Sequence, residues 1–156
     1  MPQMKTIKYR GGLVTFRIPH DWLEEYEREG GATFYEDRPD SGTLRLSTMT
    51  MEGQKPADAD DLLRGLSGKP AEPELLESGH ALVTYEQRTE EGGEALRMKY
   101  WLIAQAVEPR HIRIAIFSHA VLAKDANAPA MIAEVEMLDR EIRSATFSTR
   151  LGVKPS

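Results

Sequence analysis

The four histidines are the residues whose type best suits metal binding or acid–base chemistry. They are His20, His80, His111 and His119. No two follow the His-x-His, His-x-x-x-His or His-Glu-x-x-His spacings that direct two imidazoles at one metal ion. His111 and His119 flank one predicted strand, so they lie about 25 Å apart. The sequence therefore predicts no metal site and no cofactor.

Nucleophilic chemistry has no recognisable motif in this sequence. There is no cysteine and no Gly-x-Ser-x-Gly stretch. Ser118 and His119 are adjacent on a predicted strand, where neighbouring side chains point to opposite faces, so they cannot form a dyad. We predict no catalytic residue. The enzyme alternative is a small hydrolase or isomerase in which a carboxylate such as Glu86 acts with His80 or His111.

Basic and aromatic residues form the most specific candidate site. If Ile112, Ile114 and Ile116 face the final helix, alternation along the strand turns Arg113 and Phe117 to the other side. Residues of neighbouring strands are expected beside them, which predicts a binding surface of Arg17, Arg45, Arg97, Lys99, Trp101, Arg113 and Phe117. Such a surface on an acidic protein suits an anionic ligand or an acidic protein partner.

The alternative is that these residues stabilise the fold. The cations would pair with Glu86, Glu94 and other acids across strands, and the aromatic rings would be covered by the segment around Trp22.

The strands that carry these residues are predicted from alternating patterns and turn residues. An opening strand at residues 13–18 is stopped by Pro19, and a helical turn is predicted for residues 20–26. Residues 33–35 and 43–51 form a predicted hairpin. The strands of a long antiparallel meander follow at residues 80–88, 94–107 and 111–118, with turns at 91–93 and 108–110.

Two helices are predicted. Asp58 is suited to cap a short helix that carries Leu62, Leu63 and Leu66. In residues 129–145, the apolar side chains recur at spacings of four and three and form one stripe: Met131, Val135, Leu138, Ile142 and Ala145. This stripe indicates an amphipathic helix that lies across the meander.

Together these elements predict an α+β protein. An antiparallel sheet of about six strands is packed by the amphipathic C-terminal helix and the shorter helix, in a form similar to an α/β/α sandwich. Residues 1–147 are expected to form a single domain and residues 148–156 a loose tail.

Composition narrows the class of partner. The chain of 156 residues has 20 Lys and Arg and 25 Asp and Glu, which gives a net charge of −5. This negative charge disfavours binding to nucleic acid, whose phosphate backbone is also negative. The N-terminus lacks the apolar region of a signal peptide, and no apolar run approaches the length of a membrane span. We therefore expect a cytoplasmic protein with no membrane partner.

The opening and closing motifs carry a family resemblance. Phe16-Arg17-Ile18-Pro19-His20-Asp21-Trp22, and a final helix followed by Ser144-x-x-Phe147, resemble the PsbP-like and DcrB-like superfamily. The resemblance implies an α/β/α sandwich and an accessory, chaperone or binding role, and it implies no shared active site. The sequence as a whole therefore favours a non-enzymatic, chaperone-like binding or accessory protein that holds a protein partner through a sheet face or edge, and a homodimer is a further candidate.

Overall fold

The computed structural model describes residues 3–151, which form two antiparallel sheets and two helices. The strands are β1 (Met4–Tyr9), β2 (Val14–Pro19), β3 (Leu23–Tyr26), β4 (Ala32–Tyr35), β5 (Thr43–Glu52), β6 (Glu74–Leu75), β7 (Ala81–Glu91), β8 (Glu94–Val107), β9 (His111–Leu122) and β10 (Thr146–Phe147). The helices are α1 (Ala59–Gly65) and α2 (Pro129–Arg143), and a 3₁₀ turn spans Ala123–Asp125. The predicted α+β class is confirmed.

The large sheet has seven strands in the order β3-β4-β5-β9-β8-β7-β6. Its centre is the predicted meander, with β8 paired to β7 on one side and to β9 on the other. Gly92 and Gly93 both have positive φ, of 60° and 82°, which is the backbone of a two-residue hairpin turn. The meander prediction is therefore confirmed: β8 has the predicted bounds, and β7 and β9 continue past their predicted ends to Glu91 and Leu122.

The small sheet has the order β1-β2-β10. The strand predicted to open the fold is its central strand, because Met4–Tyr9 precedes it and pairs antiparallel with it. Thr6 and Lys8 are exposed and alternate with Ile7 and Tyr9, which are buried. Since β2 belongs to this second sheet, Arg17 does not share a sheet with the other predicted binding residues.

The helical turn predicted for residues 20–26 is wrong. Leu23–Tyr26 is an edge strand that pairs with β4. Tyr26 packs edge-on against Phe34, with ring centroids 6.1 Å apart. A helix this short nucleates poorly, whereas pairing with an existing strand supplies backbone hydrogen bonds at once.

The large sheet buries a different core on each face. One face packs against the small sheet and α2, and this core contains Phe16, Trp22, Trp101, Phe117 and Leu138. The opposite face packs against α1, through residues that include Leu62, Leu66, Val83, Leu102 and Ile114. The prediction that Ile112, Ile114 and Ile116 face the final helix is therefore wrong. Both faces of β9 carry buried apolar side chains, so alternation alone could not tell which face each helix covers.

Hydrogen bonds hold the start of α1, which precedes the meander, and the C-terminal residues that follow α2. The predicted cap of α1 is confirmed, since the Asp58 carboxylate accepts the Asp61 N–H at 2.9 Å and the Asp61 carboxylate accepts the Asp58 N–H at 2.9 Å. The tail predicted to be loose is bonded over residues 148–151, where the Thr149 carbonyl accepts the Glu108 N–H at 2.9 Å. Residues 152–156 lie outside the described residues.

Neither helix in residues 3–151 has the length and apolar character that a membrane crossing requires.

Candidate functional site

Three of the seven predicted binding residues are buried in the core. Trp101 and Phe117 have 0% of their surface exposed and Arg113 has 1%. The two aromatic side chains belong to the same core cluster as Trp22, as the structural alternative expected. Arg113 donates hydrogen bonds to the carbonyl oxygens of Ser148, Arg150 and Leu151, at 2.8 to 2.9 Å.

The remaining four cations do not share one surface, because Arg97 and Lys99 lie together on one face of β8 while Arg45 and Arg17 lie elsewhere. Arg45 points to the α1 side of the large sheet and pairs with Glu27 at 2.9 Å. Arg97 lies 3.8 Å from Glu86, one of the acids that the alternative named, and the Lys99 Nζ lies 5.8 Å from the centre of the Trp101 ring. Arg17 lies on the small sheet. The structure does not assemble one basic surface from these residues, and ligand contact at the exposed cations stays a prediction.

The carboxylate and histidines of the enzyme alternative are also far apart. Glu86 is six residues from His80 along one extended segment, which is about 20 Å. His80 instead lies 3.2 Å from the Ser78 hydroxyl and edge-on to Phe147, where burial lowers its pKa. His111 lies at the far end of β9, opposite Glu52 and Val107. The structure therefore does not bring Glu86 to either histidine.

Helix α2 is joined to the sheets by three of its acidic side chains. Glu141 accepts two hydrogen bonds from the Arg17 guanidinium, at 2.8 and 3.0 Å, and this pairing raises the pKa of Arg17. Asp139 accepts the indole N–H of Trp101 at 3.0 Å. Glu134 lies 2.7 Å from the Nε2 of His119, which is completely buried.

Each of these contacts gives a hydrogen-bond partner to a polar group that would otherwise be unpaired near the core. Gly42 lies directly against the His119–Glu134 pair, where any β-carbon would collide with both side chains. The polar side of α2 is thus fixed to one strand of the small sheet and two strands of the large sheet.

A groove of about 680 Å³ opens between α2 and the outer side of the small sheet. Apolar side chains line part of it: Met4, Pro19, Trp22, Ala133 and Met137. Five carboxylates and two guanidinium groups supply the rest: Asp21, Glu36, Glu134, Glu136, Glu141, Arg17 and Arg140. A concave site of this volume is in the range that binds a ligand or a short peptide segment.

The acids of the groove are not equally engaged within the protein. Glu141 is 5% exposed and is held by Arg17, with Arg140 at 3.6 Å. Glu134 is engaged by His119. Asp21 has a side chain 97% exposed, and for Glu136, also exposed, no ion pair is found within residues 3–151. The unneutralised charge of the groove is therefore negative.

Sequence reasoning missed this groove because its walls come from distant parts of the chain. Met4, Pro19 and Met137 meet only when the small sheet packs beside α2. One local signal was present: Ala133, Glu136, Met137 and Arg140 recur with helical spacing on the side of α2 next to its buried stripe. That secondary stripe marks a helix face that is only partly covered.

Comparison with known proteins gives fold relatives and no family. No family model matches the chain, and no curated protein matches its sequence. LpqN of Mycobacterium tuberculosis, a protein involved in cell envelope biogenesis, superimposes with a TM-score of 0.61 at 11% identity, over 92% of this chain and 90% of LpqN.

The Ran-binding protein Mog1p of Saccharomyces cerevisiae superimposes with a TM-score of 0.57 at 13% identity, over 94% of this chain and 96% of Mog1p. A protein of Bacteroides thetaiotaomicron has a TM-score of 0.61 at 17% identity over 92% of this chain, which spans 48% of that protein's length. At these identities the likeness shows the fold alone.

Proposed function

We propose that this protein is a non-enzymatic protein-binding or accessory domain that holds a basic, partly apolar segment of a partner protein in the groove beside α2. The observation that carries the proposal is the groove itself, which combines apolar side chains with exposed carboxylates, Asp21 and Glu136, for which no Lys or Arg partner is found within residues 3–151. We include in this proposal the membership of the PsbP-like and DcrB-like superfamily that the terminal motifs imply.

The apolar part of the groove supplies the driving force for binding. Met4, Ala133 and Met137 are partly or fully accessible, and methionine adapts its shape to different apolar groups. Covering these side chains removes apolar surface from water at about 25 cal/mol per Å². The shape and the adaptable lining favour a side-chain anchor of a protein segment.

The charged part of the groove determines which charge a partner segment should carry. Asp21 and Glu136 flank the apolar surface and carry negative charge at neutral pH. A lysine or arginine next to the apolar anchor would be attracted, and an acidic segment would be repelled. This partner is opposite in charge to the acidic partner expected from the scattered cations.

The fold relatives support the class of function. Mog1p is a Ran-binding protein, and so a protein with this fold binds another protein. That relationship supports a protein partner for this chain, and the groove chemistry supports its basic character. A chaperone-like role, in which the protein shields an apolar segment of its partner, is part of the same proposal.

A pair of synthetic peptides tests the groove. Both share a central Leu-Trp anchor, and one is flanked by lysines and the other by glutamates. In ¹H–¹⁵N NMR spectra, the lysine peptide is expected to shift the amide signals of Met4, Ala133 and Met137, and its affinity is expected to fall as salt is added. The proposal is wrong if the two peptides bind equally or if the shifted signals lie outside the groove.

Two neighbouring residues of α2 provide a matched mutational control. Ala133 lines the groove, whereas Ile132 is 46% exposed and does not line it. Ala133→Trp should fill the groove and abolish binding of the lysine peptide, and Ile132→Trp should leave binding unchanged. Glu136→Lys should weaken binding about two- to fivefold, as expected for one solvent-exposed charge.

A further inference from the structure

The outer edge of the large sheet is a long strand that is covered only at its beginning. Strand β6 pairs with β7 at two positions, Glu74 with Leu82 and Leu75 with Ala81. Beyond them, β7 pairs on one side with β8 over its whole length, and no strand of the described chain, residues 3–151, pairs with its other side. Side chains from Glu86 to Glu91 are exposed. Unpaired backbone groups along such an edge are a template for another strand.

The hairpin turn determines which backbone groups point outward. Glu91 and Glu94 flank the two-residue turn directly, so they form a hydrogen-bonded pair, and such pairs then alternate along the ladder without a bulge. The residues whose N–H and C=O point away from β8 are therefore Thr84, Glu86, Arg88 and Glu90. His80 follows the same alternation: its carbonyl points away from β8 and accepts the Leu76 N–H at 2.7 Å.

The outward-pointing residues of one copy of β7 match those of a second copy in charge and in backbone hydrogen bonding. When two copies of β7 run antiparallel with a two-fold axis at Gln87, Glu86 of each copy lies opposite Arg88 of the other. Thr84 then lies opposite Glu90, so all four outward residues enter hydrogen-bonded pairs, with about eight backbone hydrogen bonds in total. The Glu86 and Arg88 side chains meet on the same face of the sheet, where opposite charges stabilise the pairing.

Neighbouring registers are disfavoured by the same charges. The outward-pointing N–H and C=O groups of the two copies face each other only when the two-fold axis lies at a residue. The nearest alternative registers therefore have the axis one residue earlier or one residue later. An axis at Glu86 would place the two Glu86 side chains opposite each other, and an axis at Arg88 would do the same with the two arginines. Like charges directly opposite each other are destabilising. Among these three registers, only the axis at Gln87 places opposite charges across from each other.

Arg88 has no ion-pair partner among residues 3–151. Its neighbour across the β7–β8 ladder is Arg97, another cation, and Arg97 is itself 3.8 Å from Glu86. A glutamate from a second copy would supply the missing opposite charge.

We propose that β7 pairs with β7 of a second copy of this chain, in antiparallel orientation about a two-fold axis at Gln87. The large sheets of the two copies then form one continuous sheet. The interface is isologous, as in most homodimers, and each contact occurs twice. The groove beside α2 is built from other elements, so this interface and the partner site are separate.

Reciprocal charge changes test this interface directly by sedimentation velocity over a range of protein concentrations. The natural protein should be dimeric. Arg88→Glu places glutamate opposite glutamate twice and should weaken the dimer by about tenfold or more, and Glu86→Arg should do the same with arginines. A mixture of the two variants should form a heterodimer, because each then meets the opposite charge.

The double variant Glu86→Arg with Arg88→Glu restores complementarity within one chain and should dimerise again. Glu86→Arg alone adds a cation beside Arg97 and Lys99 and could fail to fold. The double variant keeps the net charge of the edge, so it tests the interface even in that case. Glu72→Arg, an exposed change outside β7, serves as the control that keeps the dimer. The proposal is overturned by a natural protein that is monomeric at every concentration, by single variants that remain dimeric, or by a mixture that stays monomeric.

Discussion

At the residue scale, Arg113 illustrates how burial changes the role of a charged side chain. Its guanidinium is 1% exposed and donates to three main-chain carbonyl oxygens of residues 148–151. Burial lowers its pKa, yet an arginine side chain stays protonated in proteins. The charge is stabilised by carbonyl dipoles, so Arg113 holds the C-terminal segment against β9.

We predict that Arg113→Ala destabilises the protein by about 2 to 4 kcal/mol, because it removes three charge-assisted hydrogen bonds and the packing of a buried side chain. Urea unfolding measures the change in the free energy of unfolding. Arg113→Lys retains the charge but loses the planar fork of donors, so its stability should lie between those of the natural protein and the alanine variant.

Arg45→Ala is the matched control for this prediction. It removes an arginine that is 61% exposed and paired with the exposed Glu27, so a change below about 1 kcal/mol is expected. Equal stability losses in the Arg113 and Arg45 variants would show that the carbonyl contacts contribute nothing.

At the scale of elements, α2 contributes to the core through one stripe and to the groove through the next. Leu138 is fully buried, whereas Ile132 on the same helix is 46% exposed. We predict that Leu138→Ala lowers the free energy of unfolding by about 2 to 5 kcal/mol, as for other buried leucines. Ile132→Ala should change it by less than about 0.5 kcal/mol, as for surface sites. Thermal or chemical unfolding of both variants gives the comparison, and similar losses would place α2 outside the core.

Local periodicity predicted most of the elements. The 131-135-138-142 stripe, the Asp58 cap and the Gly92–Gly93 turn each depend on residues close in sequence, and each is present. The assignment of sheet faces failed because Ile114 and Phe117 are both apolar, and only long-range packing decides which of them meets α2.

At the scale of the whole molecule, the candidate site depends on contacts that no local pattern reports. Strand β2 joins residues from both ends of the chain, since it pairs with Met4–Tyr9 and with Thr146–Phe147. The groove exists because this small sheet and α2 share one face of the large sheet. Its negative charge could have been guessed from the acidic composition, whereas its location could not.

The two cores of the molecule are unequal, and this difference predicts how the protein unfolds in parts. Helix α1 has seven residues and packs on the smaller core through Leu62 and Leu66. The opposite face contains Trp101, Phe117 and Leu138 under both the small sheet and α2. Regions with few buried contacts open at a lower free energy than the whole molecule. We therefore predict that amide hydrogens of α1 exchange by a partial opening, at a lower free energy than those of β8 and β9.

Two substitutions separate this partial opening from global unfolding. Leu66→Ala removes a contact that exists only while α1 is docked, so it should lower the opening free energy of α1 by about 2 kcal/mol or more. Leu138→Ala removes a contact that persists when α1 has opened, so it should lower the protection of β8 and β9 and leave that of α1 unchanged. Native-state hydrogen exchange followed by NMR distinguishes the two. If α1 and β8 exchange with the same free energy, or if Leu138→Ala lowers both equally, then α1 unfolds only together with the rest of the molecule.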